Sequence, residues 1–141
     1  MIVPGQIDLP DIVSEVRAVF DAYEAALRRN DAAALNEFFW DDPRALRFGI
    51  AECNVGVAAI RQWRTMAPRI SPTRRLQGTQ IVAFGRDAAS VCTEFTAADT
   101  PQVGRQSQLW VRFAEGWRIV AAHVSFPAAS AAAMPRELPR T

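Results

Sequence analysis

The sequence predicts an α+β domain in which helices cover one face of a curved, mainly antiparallel sheet. Apolar residues recur at helical spacing in the first half of the chain, and after Pro68 the period changes to two and gives four strand candidates. Helices followed along the chain by a run of strands favour this fold class. A chain of 141 residues is the size of one domain. We expect that domain to span residues 1–126, followed by an extended or disordered Pro/Ala-rich tail over residues 127–141.

Three helices are predicted from apolar periodicity and from residues that commonly begin or end helices. Asp8 is a plausible N-cap for the first helix, and Asn30 can take the left-handed conformation that often ends one. Asp31 is predicted to cap the second helix. The predicted helices lie between Asp8 and Asn30, over residues 32–40 and over residues 57–67.

Five strands are predicted, one before the third helix and four after it. The early strand reads "RALRFGIAE", and its alternation places Arg47 on the face opposite three apolar residues, Leu46, Phe48 and Ile50. Arg47 is therefore either a solvated edge charge or a group that holds an anion. The later strands are expected over residues 75–84, 88–97, 105–113 and 117–126, with turns at residues 54–56, 85–87, 101–104 and 115–116.

The basic residues constrain the chemistry, because all 16 are arginines and the chain has no lysine. A Ser-Ser-Lys amidase, a Schiff-base enzyme and a P-loop nucleotide site each need a lysine, so these classes are excluded. A single histidine also excludes a multi-histidine zinc site. Seven arginines lie between residues 44 and 75 against one acid, Glu52, and they either pair with acids elsewhere or grip a small anion.

Composition also bounds the partners and the location. The net charge of +1 and the absence of a nucleic-acid-binding motif argue against a nucleic-acid partner. No apolar run approaches the roughly 20 residues that cross a bilayer, and the N-terminus "MIVPGQIDLP" lacks a signal-peptide pattern. We therefore expect no membrane partner and a cytoplasmic location.

Several polar residues lie on predicted apolar faces, and each has more than one interpretation. Tyr23 is either a core tyrosine with one hydrogen-bond partner or a phenol directed into a cavity. Strict alternation puts His123 and Ser125 on one face of the last strand, where the imidazole is either a buried, hydrogen-bonded group or a polar group of a pocket. Ser107 shares the apolar face of its strand, and Glu94 is a candidate ion-pair partner for an inward arginine.

The chain resembles the AtzH-like family, which lies within the nuclear-transport-factor-2-like (NTF2-like) superfamily. The resemblance covers residues 9–126 and rests on an ordered set of segments: FDAYEAALRRND, FFWDDP, RFGIAECNVG, AIRQWR, TEF, GRQSQLWVRF and GWRIVAAHVS. It implies a cone-shaped fold in which three helices and a curved sheet enclose a pocket. It also implies a homodimer formed through the sheets, with a higher oligomer left open.

The resemblance further implies an activity. AtzH-like proteins accompany amidases in the bacterial breakdown of cyanuric acid and related ureides, which implies a decarboxylating amidohydrolase for 1,3-dicarboxyurea that needs no metal or cofactor. Tyr23 in FDAYEAAL and Arg47 in RFG match the family's essential pair. Arg44 competes for the arginine position, but it lies outside the matching segment. The general base is left open among Glu52, Glu94 and His123, and Ser107 and Ser125 are further candidates for the pocket lining.

Two other functions fit the same expected fold. One is isomerisation or dehydration of a cyclic ketone, as in ketosteroid isomerases, which normally needs a carboxylate base deep in the pocket. The other is a non-catalytic module that binds a small anion or associates with an amidase, since a fold does not fix a function.

Overall fold

Helices pack on one face of a mixed sheet in the computed structural model, which describes residues 1–128. Its three α-helices are α1 (Pro10–Arg28), α2 (Ala32–Glu37) and α3 (Val57–Arg64), and a short 3-10 helix (Pro4–Gln6) precedes them within that range. The six strands of the same range are β1 (Leu46–Phe48), β2 (Cys53–Val55), β3 (Arg75–Phe84), β4 (Ala88–Ala97), β5 (Thr100–Phe113) and β6 (Gly116–Ser125).

The strands are ordered β2-β1-β6-β5-β4-β3 across the sheet. Neighbouring strands are antiparallel except β1 and β6, which are parallel. The predicted α+β class is confirmed. The predicted tail over residues 127–141 falls almost wholly outside the described residues.

Helix α1 supplies the longest apolar stripe against the sheet, and its start differs from the prediction. The N-cap is Leu9, because Asp8 has a positive φ of 55° and its carboxylate accepts a hydrogen bond from the Ala83 amide at 2.8 Å. Asp8 therefore ties the chain to β3 instead of capping the helix. Asn30 ends the helix with φ 55°, as predicted. The buried stripe includes Ile12, Val16, Phe20, Tyr23 and Leu27, and each large apolar side chain contributes about 1.5–3 kcal/mol when fully buried.

Helix α2 is shorter than the sequence pattern suggests. Its predicted cap is confirmed, since the Asp31 carboxylate accepts from the Ala34 amide at 3.1 Å. The helix ends at Glu37, three residues before the expected end, because the next residues pair with β6. The Ile119 amide donates to the Phe38 carbonyl at 2.7 Å, and the Ile119 carbonyl accepts from Trp40 at 3.0 Å.

The predicted strand ranges hold for β3 and β4 and change elsewhere. Strand β5 begins at Thr100, so the turn before it lies at Ala98 and Asp99 and not at residues 101–104. The expected turn at residues 54–56 is largely strand β2, which pairs with β1 and completes the sheet edge. Helix α3 ends at Arg64 and not at Ala67.

A bulge in β6 reverses which side chains face the helices. Trp110 of β5 pairs with Ile119, whereas the adjacent Leu109 pairs with Ala121, so Val120 is an extra residue on β6. A one-residue slip moves every later side chain to the other face of a sheet. Trp110 and Ile119 are fully buried against the helices, while Leu109 is 42% exposed on the outer face.

The outer face of the sheet carries apolar side chains, including Phe48 and Leu109, which are about two-fifths exposed at 42% each. A homodimer through this face stays a prediction. No helix among residues 1–128 is both long enough and apolar enough to span a membrane.

Candidate functional site

A cavity of about 480 Å³ opens between the helices and the sheet. This volume lies within the range of small-molecule sites. The cavity brings together three of the residues singled out from the sequence: Tyr23 from α1, Arg47 from β1, and Glu52 from the loop between β1 and β2. Other lining residues that matter below are Trp63, Arg64, Arg74, Phe95 and Gln106.

Tyr23 is fixed by aromatic packing. Its ring meets Phe38 and Trp110 edge to face, with ring centroids 5.7 and 6.3 Å apart, and the residue is only 5% exposed. Burial raises the pKa of Tyr23, and the nearby positive charge of Arg64 only partly offsets that effect. The hydroxyl therefore keeps its proton at neutral pH and is suited to donate a hydrogen bond.

Arg47 faces inward, while Leu46 and Phe48, its neighbours on β1, pair with Ala121 and His123 and lie on the outer side of the sheet. Its Nη1 donates to the Glu52 carboxylate at 2.6 Å and to Asn54 Oδ1 at 3.4 Å. The guanidinium carbon lies 3.6 Å from the centre of the Trp63 ring, a close cation–π contact. These contacts hold Arg47 in one orientation with only 8% of the residue exposed.

Arg44, the competing arginine, lies outside the cavity. It is exposed, forms a salt bridge with Asp42 at 2.8 Å, and covers the Trp40 ring. Arg47 is thus the arginine of this segment that reaches the cavity.

Glu52 crosses a short loop to reach Arg47. Strict alternation along one strand would put Arg47 and Glu52 on opposite faces unless a bulge lay between them. Glu52 instead lies in the loop after β1, so the pair forms without a bulge. Gly49 makes the crossing possible, because a Cβ atom there would collide with the Glu52 carboxylate. Partial burial raises the pKa of Glu52, but hydrogen bonds from Arg47 and from the Ala51 amide outweigh it and leave the pKa below its usual value.

The pH dependence of this ion pair follows from the lowered pKa. A carboxylate with a lowered folded-state pKa adds stability above its ordinary pKa, and that stability is lost as the pH falls through the folded value. The free-energy difference of unfolding between the wild type and Glu52→Gln should therefore be largest at neutral pH and shrink below pH 4.5, the ordinary pKa. Urea denaturation of both proteins across this pH range checks the prediction, and a free-energy difference that does not change with pH would contradict it.

Arg64, at the C-terminal end of α3, is a cavity residue that the sequence analysis missed. Its Nε and Nη2 atoms are buried, and neither has a hydrogen-bond partner among the described residues. Burial lowers the pKa of Arg64, and the neighbouring Tyr23 counteracts that effect. A signal was available, because Arg64 follows the buried Ile60 by four residues and therefore shares its helix face.

A buried polar network forms one wall of the cavity. Arg74 binds both carboxylate oxygens of Glu24, at 3.0 and 3.2 Å, and Gln106 bonds to each of these side chains. Glu24 is 1% exposed and Arg74 is 7% exposed. Arg74 also lies 4.1 Å from the centre of the Phe95 ring, which lines the same cavity. Arg74 is therefore one of the arginines between residues 44 and 75 that pair with an acid elsewhere in the chain, as one interpretation of the sequence expected.

Four residues expected in the pocket lie elsewhere. His123 and Ser125 follow the β6 bulge, so they face away from the helices, and His123 meets the exposed Phe48 edge to face at 6.3 Å. Ser107 pairs with His123 on that outer face and is exposed. Glu94 is on the outer face of β4, where it accepts a hydrogen bond from Gln77 at 3.4 Å. The prediction that these four residues line the pocket is wrong.

Among residues 1–128, no three or more His, Cys, Asp or Glu side chains cluster closely enough to hold a metal ion. The ionisable groups that line the cavity are several guanidiniums, the Tyr23 phenol, the Glu52 carboxylate paired with Arg47, and the exposed Asp99 carboxylate.

Solved structures of similar proteins have the same fold. A cystatin-like fold protein from Burkholderia xenovorans is 47% identical, with a TM-score of 0.84, and the match covers 92% of this chain and 98% of that one. A protein of unknown function from Pectobacterium atrosepticum is 41% identical, with a TM-score of 0.88 and coverage of 91% and 100%.

A more distant structure shares the fold. An NTF2-like protein of unknown function from Pseudomonas putida is 20% identical, with a TM-score of 0.70 and coverage of 89% and 95%. The predicted NTF2-like fold is confirmed.

Comparison with curated proteins gives no match. The family model described as AtzH-like matches residues 5–130, which is nearly the whole domain. This chain belongs to the AtzH-like family.

Proposed function

We propose that this protein is an amidohydrolase that cleaves a C–N bond of a small carboxylated urea, such as 1,3-dicarboxyurea. The observation that carries the proposal is the meeting of a protonated phenol, Tyr23, and an oriented guanidinium, Arg47, at one cavity of about 480 Å³. The cavity fits a small molecule, and its inward arginines favour an anion. Membership of the AtzH-like family supports the same substrate class.

Arg47 is the primary ligand for a substrate carboxylate. A guanidinium matches a carboxylate with two parallel hydrogen bonds, and the contacts with Trp63 and Asn54 fix the direction of that fork before substrate arrives. Glu52 occupies the Arg47 guanidinium in the structure, at 2.6 Å from Nη1. A substrate carboxylate therefore competes with Glu52 for the same guanidinium.

Displacement of Glu52 gives the site its base. Contact with Arg47 lowers the pKa of Glu52, so a carboxylate released from that contact binds a proton more readily. Glu52 can then take a proton from a water molecule. The other two candidate bases, Glu94 and His123, lie on the outer face of the sheet.

The hydrolytic step balances with water alone. The water oxygen bonds to the central carbonyl carbon, the C–N bond breaks, and the proton taken by Glu52 passes to the departing nitrogen. The nitrogen leaves as carbamic acid, which separates into ammonia and carbon dioxide in water, and the central carbon, now carrying the water oxygen, stays as the new carboxyl group of N-carboxycarbamic acid. Tyr23 donates a hydrogen bond to the carbonyl oxygen as negative charge develops on it.

The charge on Glu52 supports hydrolysis over the isomerisation of a cyclic ketone. Bases in ketosteroid-isomerase-like sites work as single carboxylates near apolar surroundings. Glu52 instead lies against a guanidinium at 2.6 Å, and its pKa is lowered. An arginine at the reacting centre suits an anionic substrate better than a neutral ketone.

Ammonia release from freshly generated 1,3-dicarboxyurea tests the proposal. The wild type should release ammonia catalytically, and Arg47→Met should lower kcat/KM by about 100-fold or more, the effect of losing a charged hydrogen-bonding group at a reacting centre. Arg44→Met is the matched control, because Arg44 lies on the same segment but is exposed and paired with Asp42. Equal activity in both variants, with folding confirmed by circular dichroism, would overturn the role of Arg47.

A further inference from the structure

We propose that Arg64 is a second carboxylate ligand of the cavity and sets its preference for substrates with two negative charges. The inference extends the proposed function, which requires only one arginine. It rests on the charge balance of the cavity, on the unused hydrogen-bonding edge of Arg64, and on the position of both arginines against one indole ring.

The inward arginines of the cavity differ in whether a carboxylate neutralises their positive charge. Glu52 pairs with Arg47, and Glu24 pairs with Arg74. No salt bridge among residues 1–128 joins Arg64 to a carboxylate. The remaining charged residues that line the cavity, Arg69 and Asp99, are exposed. The unmatched inward charge is therefore that of Arg64.

The unused atoms of Arg64 form the edge that binds a carboxylate. Arg74, in the same cavity wall, uses Nε and Nη2 to hold both oxygens of Glu24. Arg64 has the same two atoms without hydrogen-bond partners among the described residues. The Arg74–Glu24 pair thus shows the two parallel hydrogen bonds to a carboxylate that Arg64 lacks.

Rotation of the Arg64 side chain brings this edge to a substrate. Nε and Nη2 are shut off from solvent in the structure, and donors left buried without partners cost free energy. Arg64 is the last residue of α3 and has a long side chain with several rotatable bonds. Turning the guanidinium toward a carboxylate in the cavity satisfies both donors.

Trp63 places the two arginines within reach of one small molecule. The guanidinium carbon of Arg47 lies 3.6 Å from the centre of its ring, and that of Arg64 lies 4.9 Å from it. Both cations therefore share one indole at the cavity wall. A linear molecule with a carboxylate at each end can contact both, whereas a monocarboxylate uses Arg47 alone.

Calorimetric titration with malonate, a dianion, and acetate, a monoanion, tests the inference without any turnover. The wild type should bind malonate more tightly, and Arg64→Met should weaken malonate binding by about 10-fold or more while changing acetate binding by less than about 3-fold. Arg61→Met is the matched control, because Arg61 lies on the same helix but is exposed and paired with Asp41 at 3.3 Å. It should leave both affinities unchanged.

Stability separates a binding role from a structural one. Removing a partly buried cation with unpartnered donors should leave the free energy of unfolding unchanged or raise it, in Arg64→Met and in the polar variant Arg64→Gln alike. Equal weakening of malonate and acetate, unchanged malonate affinity, or marked destabilisation of both variants would overturn the inference. Selective loss of malonate binding in a protein that releases no ammonia would support the inference and refute the proposed hydrolase.

Discussion

Arg74→Met is expected to lower the free energy of unfolding by about 3–5 kcal/mol, the usual effect of removing one partner of a buried ion pair. The Glu24 carboxylate, 1% exposed, would be left with Gln106 as its remaining side-chain partner. A buried charge without a compensating cation is costly, because the protein interior solvates it poorly. Urea denaturation measures the loss.

Two further variants test the cause of that loss. The double variant Glu24→Leu/Arg74→Met should recover much of it, because apolar residues of similar volume often replace a buried ion pair at little cost. Arg75→Met is the control for position, since Arg75 is the exposed neighbour of Arg74. A loss below about 1 kcal/mol in Arg74→Met, the range of an exposed pair, would contradict the buried network.

Tyr23→Phe is expected to lower kcat for ammonia release by about 10²–10³-fold, the effect of losing one donor to a developing oxyanion. The ring contacts with Phe38 and Trp110 are kept, so the free energy of unfolding should change by only about 1 kcal/mol. Initial rates and thermal unfolding of the same samples check both parts.

The raised pKa of Tyr23 adds a test by pH. A raised folded-state pKa keeps the hydroxyl protonated above 10.0, its ordinary value, so activity should not fall through Tyr23 ionisation as the pH rises to that value. Full activity of Tyr23→Phe would show that the phenol takes no part in the chemistry.

Periodicity predicted most of the fold because most strands and helices bury one regular face. The apolar stripe of α1 and the ranges of β3 and β4 follow from residue spacing alone. The β6 bulge could not be predicted in this way. It depends on the pairing of Trp110 with Ile119 across two strands, which residue spacing does not reveal. Unbroken alternation from Ile119 would put His123 and Ser125 inside, whereas the bulge turns both to the outer face.

The site was only partly predictable for a different reason. Tyr23 and Arg47 came from an apolar stripe and a family resemblance, and the structure places both at the cavity. Glu24 and Arg64 each lie on the buried face of a helix, four residues after Phe20 and Ile60 respectively. A charged side chain at such a position usually turns to solvent, so the sequence alone does not show that it is buried. The tertiary structure shows it, through the ion pair of Glu24 and through the buried, unpartnered atoms of Arg64.

NMR of ¹⁵N-labelled 1,3-dicarboxyurea in the presence of the purified protein shows directly whether the C–N bond is cleaved. We predict that ¹⁵N-ammonium accumulates to many equivalents per chain, and that Tyr23→Phe slows its appearance without preventing the substrate from binding. Substrate that binds at the cavity and stays intact, with ammonium forming no faster than in buffer, would contradict the hydrolase and leave a small-anion-binding module.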